Sequence, residues 1–150
     1  MTSFHCSLKA QESFLKLDSL VTIDYSWLPE RQNTPSGVSG YDYNDTDSIL
    51  VNVSANQVVK ITRLMISSNG LKYSTYLTGY NLDHFTLQIE NLILLGKNDF
   101  QEMGEVLFAD LLPQINLTHQ SNLILNVDAR IPNSQLRIDW RIELQYFSYE

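Results

Sequence analysis

A single cysteine, Cys6, occurs among the 150 residues. No intrachain disulfide can form and no metal site built on several thiolates is possible, so packing alone must hold the fold. Basic residues are also few: ten Lys and Arg stand against seventeen Asp and Glu, a formal net charge of −7. They are scattered, with no cluster able to neutralise adjacent phosphates, and nucleic acid is excluded as an expected partner. Long apolar runs are missing. Lys9, Glu12, Lys16 and Asp18 interrupt the first twenty residues, and no later window approaches 18 uncharged apolar residues, so neither a signal peptide nor a membrane span is read. His5, His84 and His119 lie far apart and form no H-x-x-x-H or H-E-x-x-H pair. Glycine-rich phosphate loops and nucleophile elbows are absent too, and no cofactor is expected.

What is present favours strands. Eight Tyr, six Phe and two Trp accompany many Val, Ile and Leu, while Ala-rich and Glu/Lys-rich helical runs are lacking. In the last segment Leu136, Ile138, Trp140, Ile142, Leu144 and Tyr146 alternate with Arg137, Asp139, Arg141, Glu143 and Gln145, the pattern of a strand with one buried face. Leu123, Leu125, Val127, Ala129 and Ile131 repeat it, and the Pro132-Asn133-Ser134 turn between the two predicts a hairpin. Further strands are expected at 20–27, 49–55, 58–67, 71–78 and 85–95. About seven strands at this spacing predict an all-β antiparallel sandwich or jelly roll over residues 20–150.

Three segments depart from that pattern. Asp99 as a cap, Glu102, and Phe100, Met103, Leu107 and Leu111 at helical spacing before Pro113 predict one short helix. The run 29–47 is rich in Pro, Gly and polar residues and predicts a long exposed loop. Residues 1–19 show no clean period and predict an N-terminal arm that docks on a neighbouring subunit, with the first strand of the domain as the alternative.

Few residues carry chemistry. Asp42, Asn44, Asp45 and Asp47 place oxygen ligands close together, but position twelve of the loop is Val53 where an EF-hand needs glutamate, so a solvated loop is the better reading and no metal is expected. Asp139 and Glu143 share one strand face with Arg137 and Arg141, which reads as a salt-bridged outer face and not as an acid–base pair. Exposed aromatics anchor interfaces and stack on sugars, so Tyr41 and Tyr43 in the loop, with Phe4, Leu8, Phe14 and Leu15 in the arm, are the candidate partner-binding residues. These features predict a binding or assembly protein without catalytic residues, and a homo-oligomer, because so much aromatic surface would otherwise stay exposed.

Three blocks add a resemblance. The stretch from Val53-Ser54-Ala55-Asn56-Gln57-Val58 to Val59-Lys60-Ile61-Thr62-Arg63-Leu64, the segment Leu112-Pro113-Gln114-Ile115-Asn116-Leu117 with Ser121-Asn122-Leu123-Ile124-Leu125, and the ending Trp140-Arg141-Ile142-Glu143-Leu144-Gln145-Tyr146-Phe147 come in order over about the last 100 residues. They resemble the strand entries of small jelly-roll accessory proteins of tailed bacteriophage particles. The resemblance implies a capsid cement or decoration protein, commonly trimeric, made in the host cytoplasm and bound to the major capsid protein or another virion protein; a tail or receptor-binding module is the alternative.

Overall fold

The computed structural model describes residues 14–32, 41–69, 82–103, 106–131 and 136–150. Among the described residues eleven strands follow in chain order: β1 (Leu15–Trp27), β2 (Arg31–Gln32), β3 (Tyr41–Val51), β4 (Gln57–Asn69), β5 (Leu82–Ile89), β6 (Leu92–Leu95), β7 (Gln101–Met103), β8 (Val106–Leu111), β9 (Ile115–Leu117), β10 (Ser121–Ile131) and β11 (Arg137–Tyr149). They form two antiparallel sheets. The first runs β1-β11-β4-β8-β7, with β9 also paired to β4; the second runs β2-β3-β10-β5-β6. The chain is an all-β sandwich.

Period-two patterning explains the core. Ile138, Trp140, Ile142 and Leu144 of β11 are buried, as are Leu123, Leu125, Val127 and Ala129 of β10, each set on one face of its strand. The two strands do not form the expected hairpin: β11 pairs with β1 and β4 in one sheet, and β10 with β3 and β5 in the other. Packed in opposite layers, their two apolar faces enter one core. On β4, Val59 and Ile61, then Leu64 and Ile66, all face inward, because the register shifts at Thr62 and changes the phase of the alternation.

The expected helix is not there. A single 3-10 turn, Lys97–Asp99, precedes Phe100, which is buried, and the rest of that segment forms β7 and β8. Ala109 and Leu111 turn towards the core while β8 pairs with β4, so pairing with an available strand overrides the helical spacing. The 85–95 strand is divided as well: β5 and β6 pair around Glu90-Asn91, where Glu90 takes a positive φ of 51° to close the turn. The expected strand at 71–78 lies outside the described residues.

Candidate assembly surface

The run 29–47 is largely strand where it is described. Arg31 and Gln32 pair with Tyr43 and Asp42, and β3 runs beside β10 from Tyr41 to Val51. Alternation sends Tyr43 inward, where it is 0 % exposed; its hydroxyl accepts the Leu136 N–H at 3.3 Å and the Arg31 Nε–H at 3.2 Å. Tyr41 is half-buried against the core, with the Arg31 guanidinium 4.0 Å from the ring centroid. Tyr43 is therefore a core residue, which corrects its reading as a partner contact.

The same alternation separates the four oxygen-bearing residues. Asp42 and Asn44 lie on the outer face, whereas Asp45 and Asp47 turn towards the open side of the sandwich. Asp45 accepts the Glu30 backbone N–H at 2.9 Å, and Asp47 accepts the Tyr25 hydroxyl at 2.7 Å. Asp42 takes the Arg130 guanidinium through both carboxylate oxygens, which holds its carboxyl below the usual carboxylate range. No described group of three or more His, Cys, Asp or Glu side chains could hold a metal ion. The outer face here is a shallow polar depression of about 360 Å³ lined by Gln32, Asp42, Asn44, Asp128 and Arg130 with Tyr43 and Ala129. Beside it, Thr46 donates to Asn126, which donates to Thr86.

On the first sheet, Asp139 and Glu143 are not an isolated carboxylate pair. Arg137 and Ser26 both donate to Asp139; burial raises its pKa, and these two hydrogen bonds outweigh that and lower it. Arg141 binds Asp24 and Arg63 binds Asp110, each lowering its partner's pKa by hydrogen bonding. This is a salt-bridged outer face.

The other end of that face is apolar. Leu15 and Leu17 stand opposite Tyr149 and Phe147 on the side away from the core. The register then shifts around Asp18, so that Leu20, opposite Gln145, joins the same outer face. Leu15, Leu17 and Leu20 are 50 %, 48 % and 69 % exposed, and Phe14 and Tyr149 are exposed beside them. Of the candidate arm residues, Leu15 thus belongs to β1, and Phe14 precedes it, with its carbonyl accepting the Glu150 N–H at 3.0 Å. The boundary expected at residue 20 moves to residue 15, because Leu15 to Trp27 all pair with the last strand apart from the extra residue at Asp18. Phe4, Leu8 and Cys6 lie outside the described residues.

Sheet edges differ in length. β2, β6 and β7 are two, four and three residues long, and the part of β3 beyond β2 turns Asp45 and Asp47 inward; short strands and inward charges both discourage pairing with another chain. Among the described residues β1 is the exception. It is a thirteen-residue edge whose central stretch, Ser19–Ile23, has no charge. Sequence reasoning missed it because an exposed Leu looks the same in a sequence whether it faces a core or a partner.

No protein-family model matches the chain, and no curated protein is significantly similar to it.

Proposed function

We propose that the chain is a non-enzymatic structural protein of a virus particle, a capsid cement or decoration protein that self-associates and bridges neighbouring shell subunits. The observation that supports this reading is the long edge strand β1, with Leu15, Leu17 and Leu20 exposed on one face. Apolar side chains along an open edge suit docking, through main-chain hydrogen bonds and side-chain burial together. The virion part of the reading, like a count of three copies, comes from the sequence resemblance alone. Mass spectrometry of purified particles, with density at the matching site, tests it. Absence of the chain from particles made in its own source would refute it.

A binding module for carbohydrate or a receptor is the second reading, favoured by the polar depression around Asp42, Asn44 and Asp128. Tyr43 lines that depression, but its ring is buried in the core and offers no exposed stacking face. Glycan binding lost in Asp128→Ala, with the fold intact, would favour it over assembly.

A further inference from the structure

We propose that residues 3–10 of the same chain pair antiparallel with β1 and fill its free edge. The inference rests on the assembly reading and divides it: the main-chain groups of the edge go to the chain's own arm, and the apolar side chains are left to face a partner.

The edge has main-chain groups to offer. Phe14 gives its carbonyl to the Glu150 N–H, and backbone groups alternate in direction along a strand. Those of Leu15 and Leu17 therefore point away from β11, to a side where nothing among the described residues pairs with β1. Residues 1–13 lead directly into Phe14 at the start of that edge.

The arm's sequence fits it. Residues 1–19 as a whole lack a clean period because the phase breaks twice, at Gln11-Glu12-Ser13 and at the extra residue Asp18. Before the first break, Phe4, Cys6, Leu8 and Ala10 alternate with Ser3, His5, Ser7 and Lys9, the pattern of a strand with one apolar face. With Lys9 opposite Phe14, residues 10–13 make a four-residue hairpin loop, a common length. Leu8 then comes opposite Leu15, Cys6 opposite Leu17 and, with Asp18 left out of the pairing as it is towards β11, Phe4 opposite Leu20. Apolar residues meet across the strands on the outer face, and Ser7 and His5 come opposite Lys16 and Ser19 on the other. A slip of one residue would reverse every side chain of the arm. A second copy is the poorer occupant: one sheet edge is too shallow to reach the area of a stable interface, whereas a segment four residues away is held at an effective concentration on the order of millimolar.

Hydrogen exchange of the full-length chain, resolved by NMR, tests the pairing. The Leu15 and Leu17 amides should exchange more than about tenfold more slowly in wild type than in Cys6→Pro, which removes the arm's donor to Leu17 and leaves β1 unaltered; the Ile142 amide in the core should exchange equally in both. In Leu17→Cys a short bis-maleimide should join the introduced thiol to Cys6 within one chain, and in Thr22→Cys, roughly 14 Å further along the strand, it should not. Equal exchange of the Leu15 and Leu17 amides in wild type and Cys6→Pro, protection that grows with protein concentration, or cross-links that form between chains or equally at both sites would overturn the pairing. Particle binding separates this from the broader reading: an unprotected edge on a protein that still coats particles overturns only the pairing, whereas a protected edge on a protein absent from particles supports the pairing and overturns the virion function.

Discussion

The Tyr25 hydroxyl donates a 2.7 Å hydrogen bond to the Asp47 carboxylate, tying the edge strand of one sheet to the open side of the other. The Tyr25 ring also meets Trp140 edge-on at 6.1 Å. One side chain thus closes the seam between the layers and covers the bulkiest residue of the last strand. Tyr25→Phe should keep the ring contact and lose only the hydrogen bond, costing about 1 kcal/mol by urea unfolding. The hydrogen bond to Asp47, followed by burial, raises the tyrosine pKa. A raised folded pKa means that this contribution is complete below pH ~10, the unfolded value, and is lost as pH rises through the folded value. Wild type should therefore lose more stability above pH ~10 than Tyr25→Phe does.

Trp140 is 2 % exposed, and its indole N–H has no hydrogen-bond partner among the described residues. Trp140→Ala should cost roughly 3 to 5 kcal/mol through lost area and the cavity left behind. Trp140→Phe should cost far less, about 1 kcal/mol, because the smaller ring removes an unpaired buried donor along with some packing. Thermal or urea unfolding of the two variants side by side checks the difference; equal costs would contradict it.

Tyr43→Ala is expected to unfold or severely destabilise the domain, by about 3 to 5 kcal/mol, since it empties a fully buried site. Tyr43→Phe should cost about 1 to 2 kcal/mol, through the hydrogen bonds its hydroxyl accepts from the buried Leu136 N–H and from the Arg31 Nε–H. Circular dichroism melts resolve both. A stable, folded Tyr43→Ala would contradict the core assignment.

Asp24, Asp42, Asp110 and Asp139 all have lowered pKa values from their arginine partners. Lowered folded values give stability that is complete above pH ~4 and is lost as pH falls through the folded values. Because these pairs are largely solvent-exposed, each contributes little. Urea midpoints should fall gradually below pH ~4, and Asp42→Asn should flatten that fall slightly.

Much of the sandwich is legible in the sequence, for a physical reason. In β10 and β11 every second residue from Leu123 to Ala129 and from Leu136 to Leu144 is apolar and buried, so the pattern states the face directly. It does not state which strand is the neighbour, and that is why the two were expected to pair and instead face each other. β3 was hidden by composition: Asp42, Asn44, Asp45 and Asp47 look like a loop, yet Tyr43, Ile49 and Val51 bury the ends of the strand, and the acids sit at its open side and outer face. The helical spacing of Phe100, Met103, Leu107 and Leu111 was a coincidence of two short strands. Of the candidate contacts, Phe14 and Leu15 were named from their sequence, and Leu17 shares the face of Leu15 by alternation, but Leu20 joins them only through the register shift at Asp18, which alternation alone does not reveal.

Co-sedimentation with particles purified from the protein's own source tests the central claim, that the β1 edge is an assembly surface. Wild type is expected in the particle fraction. The Leu17→Lys and Leu20→Lys double variant, with an unchanged melting temperature, is expected to remain in the supernatant. Equal recovery of the two proteins with particles, or exclusion of wild type, would contradict the account.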